Sequence, residues 1–422
     1  MHLTLKTILN QAHPLKDFVY QDIRWVHIKD RPRIEVRIAP HRQRHACCRK
    51  CRKPAPGYDH SPMARSFAFI PLWMIAVVLI YTPRRVRCPE HGVITEWMPW
   101  ACGKRQMALA FMQFLAGWAR RMAWKEVAVI FGTSWQSVYH SVEYVVEWGL
   151  AHRNLLGIRA IGVDELHWGK GKGSQRFLTL VYQIDAGSRR LLWIGRTRTQ
   201  RCLVGFFRAM KPEVLASIRF VCSDLWKPFF KAIVKHVPQA LHILDPFHIT
   251  AQLNKAVDET RRAEAAQMRR GGHRPVLAKT RWLLLSRWKR VRGKRRETLR
   301  QLLRRNLATV RAYLLKENFA QIWHYRRPSC VMNFFDDWTK AALRSRIKPM
   351  QKIARTLREY EPHLFNWFKA KGQISNAVVE GLNNKCRVIT RRSYGFRSFH
   401  ILQLALFHSL GGLPEPPITH RF

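Results

Sequence analysis

"RAIGVDELHW" (159–168) reads as a buried strand that closes on acid. Its apolar run suits a sheet interior, and Asp164 stands where that run ends. Working outward, "RFLTLVYQID" (176–185) and "RLLWIGRT" (190–197) give two more strands around a turn at Ala186-Gly187-Ser188. "CLVGFFRAMKPEV" (202–214) places Leu203, Phe206, Phe207 and Met210 on one helical face. "IRFVCSD" (218–224) is a fourth strand, closing on Asp224. "FFKAIVKHV" (229–237) is a helix, and "ALHILD" (240–245) is a fifth strand, closing on Asp245. Three strands, a helix, a strand, a helix and a strand predict a mixed α/β sheet.

The whole chain has 422 residues, room for two to three domains at ~150 residues each. Lys and Arg number 75 against 27 acids, a formal charge of +48, which points to a polyanionic partner, nucleic acid ahead of an anionic membrane. The longest apolar run, Phe67 to Tyr81, is broken by Pro71 and falls short of the ~20 residues of a spanning helix. Its β-branched and aromatic content suits a buried strand or hairpin. No secretory signal is visible at the N-terminus, and nine cysteines without one suggest reduced thiols or metal ligands. A cytoplasmic protein with no membrane partner is the expectation.

Cys48 and Cys51 are spaced C-x-x-C, and Cys88 and His91 are spaced C-x-x-H. Two such knuckles close a tetrahedral structural Zn2+ site, with strand-like residues 64 to 87 between them as in a zinc ribbon. Cys47 competes with Cys48 at poorer spacing. Further on, "WKEVAVIFGTSWQSVYHSVEYVVEWGL" (124–150) gives a short helix, a break at Gly132-Thr133-Ser134, and a longer helix. Val127, Ala128 and Phe131 can pack on Val138 and Val142, and Ser134 can cap the second helix. That helix would offer Trp135, Gln136, Tyr139 and His140, with Ser134 beside them, to a DNA groove. A helical hairpin that only packs is the plainer alternative.

Acids at strand ends stand out in so basic a chain. Asp164, Asp224 and Asp245 would repel one another unless protonated or bound to a cation, and Mg2+ or Mn2+ suits oxygen ligands. Two such ions about 3.5–4 Å apart can run a phosphodiester displacement. A fourth acid, Glu380, is isolated in "QISNAVVEGLNNKCRVITRRSYGFRSF" (373–399). Ser375 or Asn376 can cap a helix there, with Val379, Leu382, Cys386 and Ile389 as its apolar stripe. Glu380 falls on another face with Asn376, Asn383, Asn384 and Arg387. That face presents either a metal ligand beside DNA-binding groups or a surface ion pair with Lys385 or Arg387. Between Arg287 and Arg305 there are ten Lys or Arg and one acid, Glu297. Arg290, Arg292, Lys294 and Arg295 in this run suit sequence-independent contact with DNA phosphates; a solvated helix face is the alternative.

"GVDELHWGKGKGSQRFLTLVYQID", "VCSDLWKPFFKAIVKHVPQALHILDPFHI" and "SNAVVEGLNNKCRVITRRSYGFRSF" together resemble the three catalytic blocks of bacterial insertion-sequence DDE transposases, of the ISL-three type. The resemblance covers nearly the whole chain, including "RWLLLSRWKR" and "LKENFAQIW". It implies a multidomain α/β protein in which a zinc-binding segment and a helix-turn-helix precede a ribonuclease H-like core with an all-helical insertion. The expected divisions are 1–105 for zinc, 106–152 for the helix-turn-helix, 153–250 for the first part of the core, 251–367 for the basic insertion and 368–422 for the rest. Carried over by position, Asp164, Asp224 and Glu380 become the catalytic Mg2+ ligands. Asp224 is preferred to Asp245 because it ends the fourth strand, where such cores place the second acid. Asp245, His248 and Asn384 become supporting residues, and Arg387, Arg391 and Arg392 grip the cut strand. Glu165 follows Asp164 in the strand, so it is expected on the other face.

The resemblance implies a transposase acting on double-stranded DNA, both element ends and target, as a homodimer or larger synaptic complex near the bacterial nucleoid. A metal-dependent nuclease such as a junction resolvase, and a non-enzymatic helix-turn-helix regulator, are the rival expectations.

Overall fold

The computed structural model describes residues 4–42, 44–169, 173–224, 226–273, 276–370 and 377–417. Two units emerge: Met1–Asn154 with Cys386–Phe422, and Leu155–Lys385. The helix Ala377–Arg392 begins in the second and ends in the first. The cap expected at Ser375 or Asn376 lies outside the described residues.

In the first unit, β1 (Phe18–Ile28), β2 (Arg31–Pro40), β4 (Arg65–Leu72) and β5 (Ile75–Tyr81) form one sheet in the order β1-β2-β5-β4. β3 (Gly57–His60), β6 (Arg84–Cys88) and β7 (Gly92–Thr95) form a second, in the order β3-β6-β7. The apolar run Phe67–Tyr81 is thus the β4–β5 hairpin, turned at Trp73 and Met74, with its strands antiparallel. This corrects the zinc-ribbon picture, because β4 and β5 do not join the sheet that carries the knuckles. Phe67, Phe69, Val77, Leu79 and Tyr81 alternate inward, and with Tyr20, Val36 and Trp100 they fill a core of their own. The knuckle sheet buries only Ala46, Cys48, Ala55, Val86 and Cys88, too little apolar surface to take in that hairpin.

The helices Trp124–Ile130 and Trp135–His152 follow, with Gly132 at φ +58° in the break, where only a residue tolerating the left-handed region fits. Ser134 caps the second, its Oγ accepting from the Ser137 N–H at 3.1 Å. Val127, Val138 and Val142 are fully buried.

The second unit holds β8 (Ala160–His167), β9 (Phe177–Asp185), β10 (Ser188–Gly195), β11 (Phe220–Ser223) and β12 (Leu241–Leu244), in the order β10-β9-β8-β11-β12. β9 is antiparallel to β8 and to β10, whereas β8, β11 and β12 run parallel. Gln200–Ala209 buries Leu203, Phe206 and Phe207 against the sheet's apolar residues, and Lys227–His236 adds Phe229 and Ile233. From Pro246 to Lys369 the described chain is helical and forms a separate core around Leu284, Tyr313, Phe319, Trp338 and Leu357. The parallel run of β8, β11 and β12 matters most for chemistry, because it sends three strand carboxyl ends to one edge of the sheet.

Candidate active site

Asp164 lies within β8, which continues past it to His167 instead of closing on the acid, while Asp224 directly follows β11 and Asp245 directly follows β12. Parallel pairing in register, Phe220 with Ala160 and Leu241, therefore brings all three acids to the same edge. Burial raises the Asp164 carboxyl to about 6, and the charges of Asp224 and Asp245 push the same way. Asp224 is also raised, chiefly by burial. Asp164 Oδ1 accepts from the Glu165 N–H at 2.7 Å, while its Oδ2 accepts from Asn383 Nδ2 at 2.6 Å. Asn383 Oδ1 in turn accepts from the Tyr182 hydroxyl at 2.7 Å. Both Asn383 and Tyr182 are buried, so the amide's orientation is locked.

Asn383 rides on the helix Ala377–Arg392, whose apolar stripe of Val379, Leu382, Cys386 and Ile389 is buried as the spacing predicts. Glu380 is exposed, one turn before Asn383 on that helix. The amide that meets the first acid is thus the buried Asn383, whereas Asn384, expected as the supporting residue, is exposed. One residue along a helix turns the side chain by roughly 100°, and sequence alone could not choose between adjacent asparagines.

Asp245 is committed to other work. Its Oδ1 caps the helix Pro246–Arg270 by accepting from the Phe247 N–H at 3.0 Å, and its Oδ2 meets His248 Nδ1 at 2.8 Å. The hydrogen bond to Asp245 holds the His248 imidazole up at about 9, so it is cationic at neutral pH beside the acid cluster. Asp224 Oδ1, by contrast, is buried with no hydrogen-bond partner among the described residues. That buried carboxylate oxygen suits a hard divalent cation, although Asp164, Asp224 and Glu380 do not come together as one ligand set among the described residues.

Glu165 leaves β8 on the side opposite Asp164, as alternation requires, yet it is not remote from the acids. Burial and then the Asp224 charge raise its carboxyl to about 8. It pairs with the Arg198 guanidinium, which also lies 3.7 Å from Asp224. Arg198 was not anticipated, since nothing in its local pattern separates it from the other 74 cations.

Cys48, Cys51, Cys88 and His91 form a second candidate centre, their ligand atoms all within 4.8 Å of one another. Cys51 and Cys88 sulfurs are 3.7 Å apart, and His91 Nδ1 lies 3.7 Å from Cys48 and 3.5 Å from Cys88. Those edges match the ~3.5–3.8 Å expected of tetrahedral Zn–S and Zn–N bonds. Cys47 points its sulfur instead toward the His45 carbonyl, at 3.6 Å.

Of the proposed DNA contacts, Ser134 and Gln136 are exposed at the start of their helix. Tyr139 and His140 are half-buried and tied to Glu143, at 2.6 and 3.1 Å. Arg290, Arg292, Lys294 and Arg295 are all exposed, as are Arg387 and Arg391. Arg392 is half-buried, its Nη1 donating to the Arg120 carbonyl at 3.0 Å. No helix among the described residues is long and apolar enough to cross a membrane.

Residues 161–406 match a family model described as Transposase, of the ISL3 DDE type. The transposase for insertion sequence element IS1001 of Bordetella parapertussis is 26% identical over 354 residues, 83% of this chain and 84% of that protein. The transposase for insertion sequence element IS1557 of Mycobacterium tuberculosis (strain CDC 1551 / Oshkosh) is 26% identical over 426 residues, 93% of this chain and 92% of its own.

Proposed function

The chain belongs to the ISL3-type DDE transposase family, and from that premise we propose that it binds the terminal inverted repeats of an insertion sequence and catalyses Mg2+-dependent strand cleavage and strand transfer. The observation that carries this reading is the 2.6 Å hydrogen bond from Asn383 to Asp164. It fastens the helix of Glu380 to the strand of the first acid, across 219 residues of chain. The strand order β10-β9-β8-β11-β12 supports a ribonuclease H-like core, and the helices after Pro246 support an insertion ahead of the third acid.

Asp164, Asp224 and Glu380 are the proposed ligands of two Mg2+ or Mn2+ ions. Such ions, when bound, activate a water or a 3′ hydroxyl and stabilise the leaving oxygen of an in-line displacement. Asn383 aims Asp164, and Arg198 aims Asp224 while holding Glu165 aside. Cationic His248, steadied by Asp245, offsets part of the acids' mutual repulsion. Cys48, Cys51, Cys88 and His91 hold a structural Zn2+. Ser134, Gln136, Tyr139 and His140 read the element end, and the exposed cations from Arg290 to Arg295, with Arg387, Arg391 and Arg392, grip phosphates. Two ends must be cut together, which calls for at least a homodimer acting in the bacterial cytoplasm on nucleoid DNA.

The test is an assay of DNA carrying element ends, with Mg2+, comparing wild type with Asp164→Ala. Cleavage and joining by the wild type alone is the expected result. Cleavage without joining would favour a nuclease, and equal activity in the variant would remove Asp164 from the site.

A further inference from the structure

The first unit contains an open groove of about 1030 Å3, lined by the helix Trp124–Ile130, by Trp135 and by the segment Ser393–Arg397. Its size is at the upper end of the ~300–1,000 Å3 typical of small-molecule pockets. Nothing in the proposed chemistry uses it. Its floor is aromatic. The Trp124 ring lies 5.9 Å from Trp135 and 6.5 Å from Phe396, and Trp135 stacks on Tyr139 at 5.7 Å with an interplanar angle of 11°.

Tyr394 stands at its rim, 97% exposed. Its backbone is left-handed, φ +53°, at the end of the helix Ala377–Arg392. The Tyr394 N–H donates to the Arg391 carbonyl at 3.0 Å, and the Gly395 N–H to the Thr390 carbonyl at 2.9 Å. That is the Schellman pattern, and Tyr394 holds the position in it that glycine normally takes. A bulky residue is strained there, and its ring gains almost no burial in return. The folded chain alone gives no reason for a tyrosine at that point.

The charges in the groove favour one kind of occupant. Lys125 and Arg397 line it, while the single lining carboxylate, Glu126, already accepts from the Ala123 N–H at 3.0 Å. Exposed rings between cations are the apparatus by which proteins hold unpaired bases against a phosphate backbone. We infer that this groove binds an unstacked nucleobase of single-stranded DNA, with Tyr394 and Trp135 as the stacking surfaces and Lys125 and Arg397 beside its phosphates. The inference rests on the DNA-handling reading above.

The full chain can be titrated, at one fixed salt concentration, with a blunt duplex and with the same duplex bearing a single-stranded extension that contains 2-aminopurine. The extended duplex should bind roughly tenfold tighter, with quenching of the 2-aminopurine. Tyr394→Ala should abolish the preference and the quenching while leaving blunt-duplex affinity intact, and Tyr394→Phe should retain both. If wild type binds both DNAs equally without quenching, this inference falls and DNA binding stands. If it binds neither DNA, both readings fall. Preference and quenching that persist in Tyr394→Ala overturn the assignment. So does a loss of self-association in that variant with DNA preference untouched, which would make the groove a contact between copies.

Discussion

Cys48, Cys51, Cys88 and His91 bring their ligand atoms within 4.8 Å of one another, whereas Asp164, Asp224 and Glu380 form no such set among the described residues. The thiols are neutral when protonated and the imidazole is neutral when it is not, and each pair is set by a turn of four residues. Local geometry sets each pair, and the fold then brings Cys88 to Cys51 across 37 residues. The carboxylates come from two strands and a distant helix, and they repel one another as they ionise. Burial first, and neighbouring carboxylates second, raise Asp164, Asp224 and Glu165, a balance that a bound cation would relieve. One centre is assembled from two pairs already set by spacing, the other from single carboxylates whose burial works against charge.

The largest effect that sharpens this contrast is metal removal. Chelating Zn2+, or Cys88→Ser, should destabilise the β3-β6-β7 sheet on the order of 10 kcal/mol, because binding and folding of such knuckles are one process. Hydrogen exchange should show that loss in residues 44 to 96 while β8 to β12 stay protected. Unchanged protection in the knuckle would break the comparison. Next, Asp164→Ala should lower end cleavage by roughly 10³-fold or more without unfolding the chain, since a buried and mutually repelled acid is removed. Activity and a thermal melt on one preparation check both halves. Asn383→Ala should cost about 10–100-fold in activity or in Mg2+ requirement, as loss of a residue that orients a ligand does. An equal loss in Asn384→Ala would deny Asn383 its special place.

The smallest effect is on pH dependence. Asp164 titrates near 6 when folded and near 3.8 when unfolded, and Glu165 near 8 against 4.5. At these two carboxyls the folded state binds more protons, so their contribution to stability falls as pH rises from about 4 to about 8. Buried His242 and His408, both pushed down to about 3, contribute the opposite slope below about 6.5. The share carried by Asp164, read as the difference between wild type and Asp164→Asn, should be a drop on the order of 1–3 kcal/mol in metal-free protein and smaller with Mg2+ present. Denaturant melts across that range, with Asp164→Asn as the control, measure it. A wild type and an Asp164→Asn variant with the same slope over that window would contradict the raised Asp164 carboxyl.

Much of this was legible from residues alone. The buried apolar runs of β8 and β9, the acids directly after β11 and β12, and the capped break at Gly132 and Ser134 are local properties of the chain, whereas β8 runs on past Asp164 to His167. Each is set by φ/ψ preferences and by burial of nearby apolar residues. The knuckles were legible for the same reason, although the partnership of β4 and β5 was not. Their apolar alternation says that they pair, but not with which strands, and the choice went to the sheet with enough core to bury them.

The functional partners were the hardest to see. Arg198 is one of 75 cations, and only the folded sheet puts it between Glu165 and Asp224. Sequence by itself determined many of the elements, the C-x-x-C and C-x-x-H pairs and the acids that follow β11 and β12. The tertiary structure decided which of two neighbouring asparagines aims Asp164, and which carboxylate was already spent on capping a helix and holding His248. The reason is physical: an element's periodicity is set by neighbours a few residues away, whereas a shared hydrogen bond across 219 residues exists only after the chain between has packed.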